Sequence, residues 1–321
     1  MTIPTNTYTT YTALGQAEDF NNAISIVVQE QAPFQSSVGQ GTAYAKFHQW
    51  QTDVIATPSN VVTIEGDTIA ATAVTPTAVI ANYTQIQLQA VSVTLTEEQV
   101  RKYGRGSEMA YQLMKIGIFL KLCMERTMVG TNLAYAAGST TVGRQSAGVL
   151  AYIATNVSKA SDGINPTGNG TDARTDGTVR PLTQALFNTV MQQCAESGAT
   201  PNLVLASPFN MGQIQKFDNY QTKMQMVDGT LQGVIDAIAT PFGLVQVRYD
   251  NQMRSSFNSN TTSELMILDT NFWRVLYLRP LSINDYAKTG DTVDPKYMVH
   301  EFTLEALNQK SSGLVADLAV S

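Results

Sequence analysis

The sequence predicts an α+β protein, and three features carry that prediction. A stretch rich in Val, Ile and Thr surrounds a turn signal at Glu65-Gly66-Asp67 and reads as a long β-hairpin. A helical run follows Ser107, with Met109, Leu113, Ile116, Leu120 and Cys123 spaced along one face. Near the end, Met298, His300, Phe302 and Leu304 alternate with Val299, Glu301, Thr303 and Glu305, the pattern of a long half-buried strand. Antiparallel strands are expected toward both ends, with a compact α/β portion between them.

The first forty residues read as an arm. A polar, Thr-rich start leads into a short amphipathic helix carrying Phe20, Ile24, Val27 and Val28, which Pro33 breaks. In the hairpin that follows, no Lys or Arg lies between Lys46 and Arg101, and Asp53, Glu65 and Asp67 are the only charges before Glu97. A long hairpin with so little charge would be an aggregation hazard if left in water. Either the domain's own core covers it or it lies across a neighbouring subunit; its length and its place ahead of the helical core favour the second. In the strand that closes it, Ile86 and Leu88 alternate with glutamines, and then the apolar parity flips to Val91, Val93 and Leu95. The flip implies a bulge or a change of buried face near Ala90.

Ser107 is the expected N-cap of the long helix, and the Glu97-Glu98 pair belongs to a charged turn ahead of it. Met114, Ile118 and Leu122 add a second apolar side, while Glu108, Gln112, Lys115, Lys121 and Glu125 stay polar. Running to about Tyr135, this spine would be about 40 Å long at 1.5 Å per residue. Residues 138–180 form a loop rich in Gly, Asn and Asp. Its acids Asp162, Asp172 and Asp176 offer oxygens to calcium, but their spacing is not that of an EF-hand. Pro181 is expected to open a helix through Cys194, closed by Gly198. Residues 202–206 form a short buried strand, Ser207 and Pro208 start another helix, and strands follow at 244–249, 264–269 and 273–278.

No chemistry-bearing motif stands out. The 321 residues contain no phosphate-binding loop, no nucleophile elbow and no zinc spacing. His300 reads as a structural histidine within a strand. Cys123 and Cys194 read as buried thiols without a histidine partner, and they suggest no disulfide framework. A reducing cytosol is the simplest compartment, which makes the sequons at Asn82, Asn156, Asn169 and Asn260 chance matches. No run is long and apolar enough to span a bilayer, and the N-terminus lacks the regions of a signal peptide. Charged residues make up 14% of the chain, against roughly 25% in an average domain. Either the surface carries uncharged polar groups, or much of it is spent on interfaces, whose centres lose charge because desolvating an unpaired charge is costly. The net charge of −6 argues against a reader of nucleic acid, though not against a protein lying beside it. A structural building block that assembles with copies of itself is expected, and no catalytic, metal or cofactor site.

Taken in order, LTEEQVRKYGRGSEMAYQLMK, NLVLASPFNMGQI, TPFGLVQVRYDNQM, ELMILDTNFWRVLYLRPL, YAKTGDT and HEFTLEALNQKSSGLVADL resemble a major capsid protein family of tailed bacteriophages, over most of the chain from about Gln85 on. The resemblance implies the capsid fold shared by tailed phages and herpesviruses. Its parts would be an N-terminal arm (1–39), an extended hairpin or E-loop (40–80), a P-domain with the spine helix (81–138 and 281–321) and an A-domain (139–280). It further implies pentamers and hexamers in an icosahedral or prolate head, assembled in the bacterial cytoplasm around packaged double-stranded DNA. A portal and a decoration protein are possible partners. Any scaffold is expected to be a separate protein, since Met1 lies a short arm away from the hairpin. Some members cross-link a hairpin lysine to a neighbour, which the absence of lysine between Lys46 and Arg101 argues against. Phe47, Trp50 and Ile69 are the candidate contacts between subunits, and acidic Glu65 and Asp67 are expected to meet a basic patch of Arg101, Lys102 and Arg105. A tail or tube subunit, an encapsulin-like shell protein and a ligand-binding domain using the Asp-rich loop are the competing readings.

Overall fold

The computed structural model describes residues 32–321 except 56–57, 69–70, 72, 218–224, 228–229, 233–236, 289 and 291. The expected helix of the arm and Ile69 lie outside the described residues. In chain order the elements are α1 (Pro33–Ser37), β1 (Gly39–Thr42), β2 (Phe47–Thr52), β3 (Ala78–Tyr83), β4 (Gln85–Thr94), α2 (Leu95–Gln99), α3 (Glu108–Val129), β5 (Val157–Ser158), α4 (Gln184–Glu196), β6 (Leu203–Ala206), α5 (Pro208–Ile214), β7 (Gln225–Val227), β8 (Thr230–Gln232), β9 (Ala237–Thr240), β10 (Gly243–Tyr249), β11 (Ser263–Leu268), β12 (Trp273–Asp285), β13 (Val293–Ala306) and β14 (Gly313–Leu318).

Two sheets organise the chain. A four-stranded sheet runs β1-β12-β13-β4 and a six-stranded sheet runs β5-β14-β11-β6-β10-β9. One core joins Phe34, Met124 and Met128 to Leu150, Leu205, Trp273, Phe302 and Leu304, so it spans both sheets and the spine. A second core packs Phe187, Val190 and Cys194 of α4 and Ile214 of α5 against Val204, Val245, Leu265 and Val315 of the six-stranded sheet.

The spine helix begins where the sequence places it. Ser107 Oγ accepts from Ala110 N at 3.1 Å, and Glu98 accepts from Glu108 N and Met109 N at 3.0 and 3.2 Å. Hydrogen bonds from Ser107 and Met109 hold the Glu98 carboxyl below its ordinary pKa. The Glu97-Glu98 turn is itself the short helix α2, capped by Thr94. Ser107→Ala is expected to cost about 1 kcal/mol in thermal unfolding of the subunit.

The helix ends earlier than expected, at Val129, after about 33 Å. Gly130 caps it, and a Cβ there would run into the carbonyl of Gln252. The crossing chain at Gln252 therefore stops the helix. Met109, Leu120, Met124, Glu125, Met128 and Val129 are buried, whereas Met114 and Phe119 stay exposed. Helix α4 starts at Gln184 on a Thr183 cap, three residues after Pro181. It closes as expected, with Gly198 at φ +82° and Ala199 N donating to Cys194 O. Ser207 caps α5 with Pro208 in its first turn.

Three expectations about strands need correction. Strand β4 pairs with β13 in unbroken register from Gln85 to Thr94, so there is no bulge at Ala90. Nor does the buried face change there: the less exposed residues Gln85, Gln87, Val91 and Val93 lie on one side, with Gln87 turned toward Thr127 of the spine, while Ile86 and Leu88 are exposed on the opposite face. Strand β13 is not half-buried at its C-terminal end, where every residue from Met298 to Ala306 is buried. The root of the β2–β3 hairpin lies over it: Trp50 Nε1 donates to Ala306 O at 2.7 Å and Asn82 Nδ2 donates to Leu304 O at 2.8 Å. Finally, a boundary at 280/281 falls inside β12, which sits wholly in the four-stranded sheet, and β14 joins β5 and β11 in the six-stranded sheet. The last strand thus crosses into the layer expected to consist of residues 139–280 alone.

Candidate assembly surface

The hairpin has a pinned root and an uncovered outer part. At the root, β2 and β3 pair from Phe47–Tyr83 to Thr52–Ala78. Phe47 is half-buried, with its ring 4.5 Å from Tyr83 and 6.0 Å from Tyr135. Trp50 is buried against Tyr152 and stacks on His48, whose Nε2 lies 3.1 Å from Glu305 Oε1. Trp50 was a candidate contact between subunits, and the structure places it in the subunit's own core. Bulky and flat, it fills the space between the hairpin root and β13, which sequence spacing does not reveal.

Beyond residue 52 nothing among the described residues covers the loop. Ile55 is 94% exposed, Val61 85% and Ile64 81%; Val54, Val62 and Val74 are exposed as well. A turn closes at the tip, with Asp67 N donating to Ile64 O at 3.1 Å and Gly66 at φ +84°. A non-glycine residue is disfavoured at that φ. Glu65 and Asp67 flank the turn in full solvent. So many uncharged apolar side chains on one projecting segment are unusual for a monomer and mark an interaction surface.

The expected basic patch is only partly available. Lys102 donates to the carbonyls of Glu97 and Val100 and lies 3.9 Å from the Glu97 carboxylate. Arg105 pairs with Glu108 and sits over the Tyr111 ring at 5.3 Å. Gln112 first, and then Arg105, hold the Glu108 carboxyl below its ordinary pKa. Arg101 is exposed and carries no ion pair among the described residues. Its chain neighbours Val100 and Tyr103, and Met114 and Phe119 on the spine, are each at least half exposed. Of these, Met114 belongs to the second apolar side read from the sequence, while Val100, Tyr103 and Phe119 were not singled out there.

Nothing in the Asp-rich loop converges on a cation. Asp162 accepts from Thr178 N and Oγ1, Asp172 accepts from Thr167 N, and Asp176 pairs with Arg254. The calcium reading fails because each acid closes a different loop contact. Of the groups that could act as nucleophile or base, burial pushes the Cys194 thiol up to about 12 and drops His300 to about 4. His300 Nε2 instead meets Gln87 Oε1 at 2.9 Å, a structural histidine. Asn82 and Asn156 point into the protein and donate to backbone carbonyls, which closes both sequons to modification.

The model of the SU10 major capsid protein family matches residues 3–319. The chain belongs to that family. This capsid subunit is 32% identical over 123 residues to the major capsid protein of Escherichia phage Phieco32, a match that spans 38% of the chain and about a third (35%) of that relative. In structure it resembles the capsid of a native GTA particle, with a TM-score of 0.61 at 12% identity over 97% of both chains. It also resembles the holo-SrpI encapsulin complex from Synechococcus elongatus PCC 7942, with a TM-score of 0.57 at 11% identity over 93% of both chains. At such identities the likeness establishes the fold alone, which is the tailed-phage capsid fold expected from the sequence. Phage capsid and encapsulin share it, and the family match places this chain with the phage capsids rather than with tail or tube subunits.

Proposed function

We propose that this capsid subunit closes a phage head by laying its outer loop, residues 53–77, over a neighbouring copy. The observation that carries the proposal is the loop itself: apolar, almost uncharged and uncovered among the described residues. Such a contact joins two different surfaces and so generates rings and closed shells by rotation. Each contact can be modest, because several neighbours hold every subunit at once. Pentamers and hexamers around packaged double-stranded DNA follow, in a head assembled in the bacterial cytoplasm. An acidic chain would line the DNA without gripping it. A scaffold, a portal and a decoration protein are the partners such a head requires or admits. The role is structural, and the buried Cys194 and His300 support no catalysis. Residues 40–80 serve as the E-loop in this reading, with the arm, P-domain and A-domain dividing the rest, β12 kept whole in the P-domain sheet and β14 placed in the six-stranded sheet.

Phe47, at the loop root, and Ile69 remain candidate contacts. At the tip, Glu65 and Asp67 are proposed to meet Arg101, with Lys102 and Arg105 holding the surface around it in place. Purified subunit examined by size-exclusion chromatography and negative-stain electron microscopy is expected to give shells or rings of five and six. A subunit that stays monomeric at high concentration and with a scaffold would overturn the reading. Reversing both acids (E65K with D67K) is expected to weaken assembly by about tenfold, since exposed pairs contribute up to about 1 kcal/mol each. Unchanged assembly would remove the tip from the contact.

A further inference from the structure

The described chain's N-terminal end, the spine and the end of β10 meet at two buried carboxyl groups, Glu125 and Asp250, both 0% exposed. Helix α1 has no side-chain cap of its own, because its N-cap position is Ala32. Glu125, one turn before the end of the spine, supplies the cap: Oε1 accepts from Phe34 N at 2.6 Å and Oε2 accepts from Gln35 N at 3.1 Å. Phe34 is buried beside Trp273, with ring centroids 6.2 Å apart, and Gln35 Nε2 adds a bond to Lys121 O at 2.8 Å. The arm segment is thereby fastened to the spine.

Asp250 reaches the same place from the other side. Its backbone N donates to Ala206 O in β6, and its Oδ1 accepts from Gln252 N at 2.8 Å. Its Oδ2 is buried and receives no donor. The group within hydrogen-bonding reach is the Glu125 carboxyl. The turn cannot back away easily, since the Gln252 carbonyl abuts Gly130 at the end of the helix.

Among the described residues, the surrounding charges do not neutralise the pair. Helix α1 contributes backbone N–H groups and no charged side chain. On the spine, Arg126 points outward to Asn258 Oδ1 at 3.2 Å, and Lys121, one turn earlier, is exposed. On the 250–258 loop, Arg254 is committed to Asp176 and Glu264. Two carboxylates in one dry site cannot both ionise at moderate cost, so such a pair keeps a proton.

We propose that Glu125 and Asp250 share one proton, and that this proton latches the 250–252 turn to the joint between the spine and the arm. Burial, with the neighbouring Asp250 adding to it, lifts Glu125 to about 8, and burial raises Asp250 as well. Below that pH the protonated carboxyl donates to Asp250 while its oxygens continue to accept from Phe34 N and Gln35 N. When the proton is lost, Glu125 keeps both backbone donors, but Asp250 Oδ2 loses its donor and faces an anion. The joint therefore opens on the Asp250 side. The sign follows from the raised pKa: the contribution to stability is complete below about 4.5, falls as pH rises through about 8, and is absent above.

Hydrogen exchange on the full-length subunit between pH 5 and 9, corrected for intrinsic exchange, tests this. Peptides spanning 247–258 are expected to lose protection, by up to about tenfold per pH unit, as pH rises from about 5 to about 8 and to level off above that, while peptides spanning 33–37 keep theirs. In Asp250→Asn the amide supplies a permanent donor to Glu125 and still accepts from Gln252 N, so this pH-dependent step should vanish. Glu125→Gln also removes the shared proton and keeps a donor to Asp250, so it should remove the step while loosening α1; it decides the matter if the first variant does not fold. Flat wild-type protection at 247–258 across the range overturns the latch, as does a step that persists with the same midpoint in whichever variant folds.

Discussion

Replacing Val61, Val62 and Ile64 together by Ser is expected to leave a folded subunit that no longer forms shells. The three side chains are between 79% and 85% exposed, so the isolated subunit gains nothing from burying them. Surface changes of this kind usually alter monomer stability by no more than about 0.5 kcal/mol. Across a contact between subunits the arithmetic differs. Full burial of a Val or Ile side chain contributes about 1.5–3 kcal/mol, so three of them supply on the order of 5 kcal/mol per contact. Losing that much weakens association by about three orders of magnitude. Thermal unfolding of the variant should match wild type, while electron microscopy shows no shells or rings. Normal shells would show that the loop is not the surface that joins subunits, and a collapse in melting temperature would show that it packs on its own chain.

The second large effect is expected at Arg254. Its guanidinium donates to Glu264 at 2.6 Å and Thr262 at 2.7 Å and pairs with Asp176. Close by, fully buried Arg174 donates to Asp317 at 2.9 Å. Together these residues fasten the 162–180 loop to β11 and β14. Glu264 is fully buried, and burial raises it to about 7 even though Arg254 and Arg174 pull it down. Arg254→Ala removes its direct partner and leaves an uncompensated buried acid, which costs about 3–5 kcal/mol. Replacing Arg254 and Glu264 together by Met should recover much of that loss, because a well-packed apolar pair avoids the desolvation penalty. Denaturant unfolding of the single and double variants checks both statements. A double variant as unstable as the sum of its singles would mean the two residues contribute separately.

Raised acids also set the direction of the pH dependence. Glu264 binds a proton in the native state at pH values where the unfolded chain has released it. Its contribution is complete below about 4.5 and is lost as pH rises through about 7. The latch at Glu125 acts in the same direction and extends to about pH 8. The subunit is therefore expected to lose stability from these two groups between pH 5 and 8.

Several helix caps were legible in the sequence because they depend on neighbours a few residues away, whereas the end of the spine, set by the crossing chain at Gln252, was not. Ser107, the Ser207-Pro208 pair and Gly198 each satisfy or terminate a turn within their own segment. The absence of basic residues between Lys46 and Arg101 and the apolar character of the loop were equally legible. Only the tertiary structure decided which face of each strand is covered. Ile86 and Leu88 have the apolar alternation of a core face and lie outside, because the spine packs on the glutamine side of β4. Glu301 and Glu305 have the alternation of a solvent face and lie inside, because the hairpin root folds over β13. Trp50, the meeting of Glu125 with Asp250, and the ring of charges around Arg254 and Arg174 share that origin. Each includes a contact between residues more than seventy positions apart. Local rules set the conformation of a segment, but burial depends on what another segment lays against it, and that contact is made only when the chain folds.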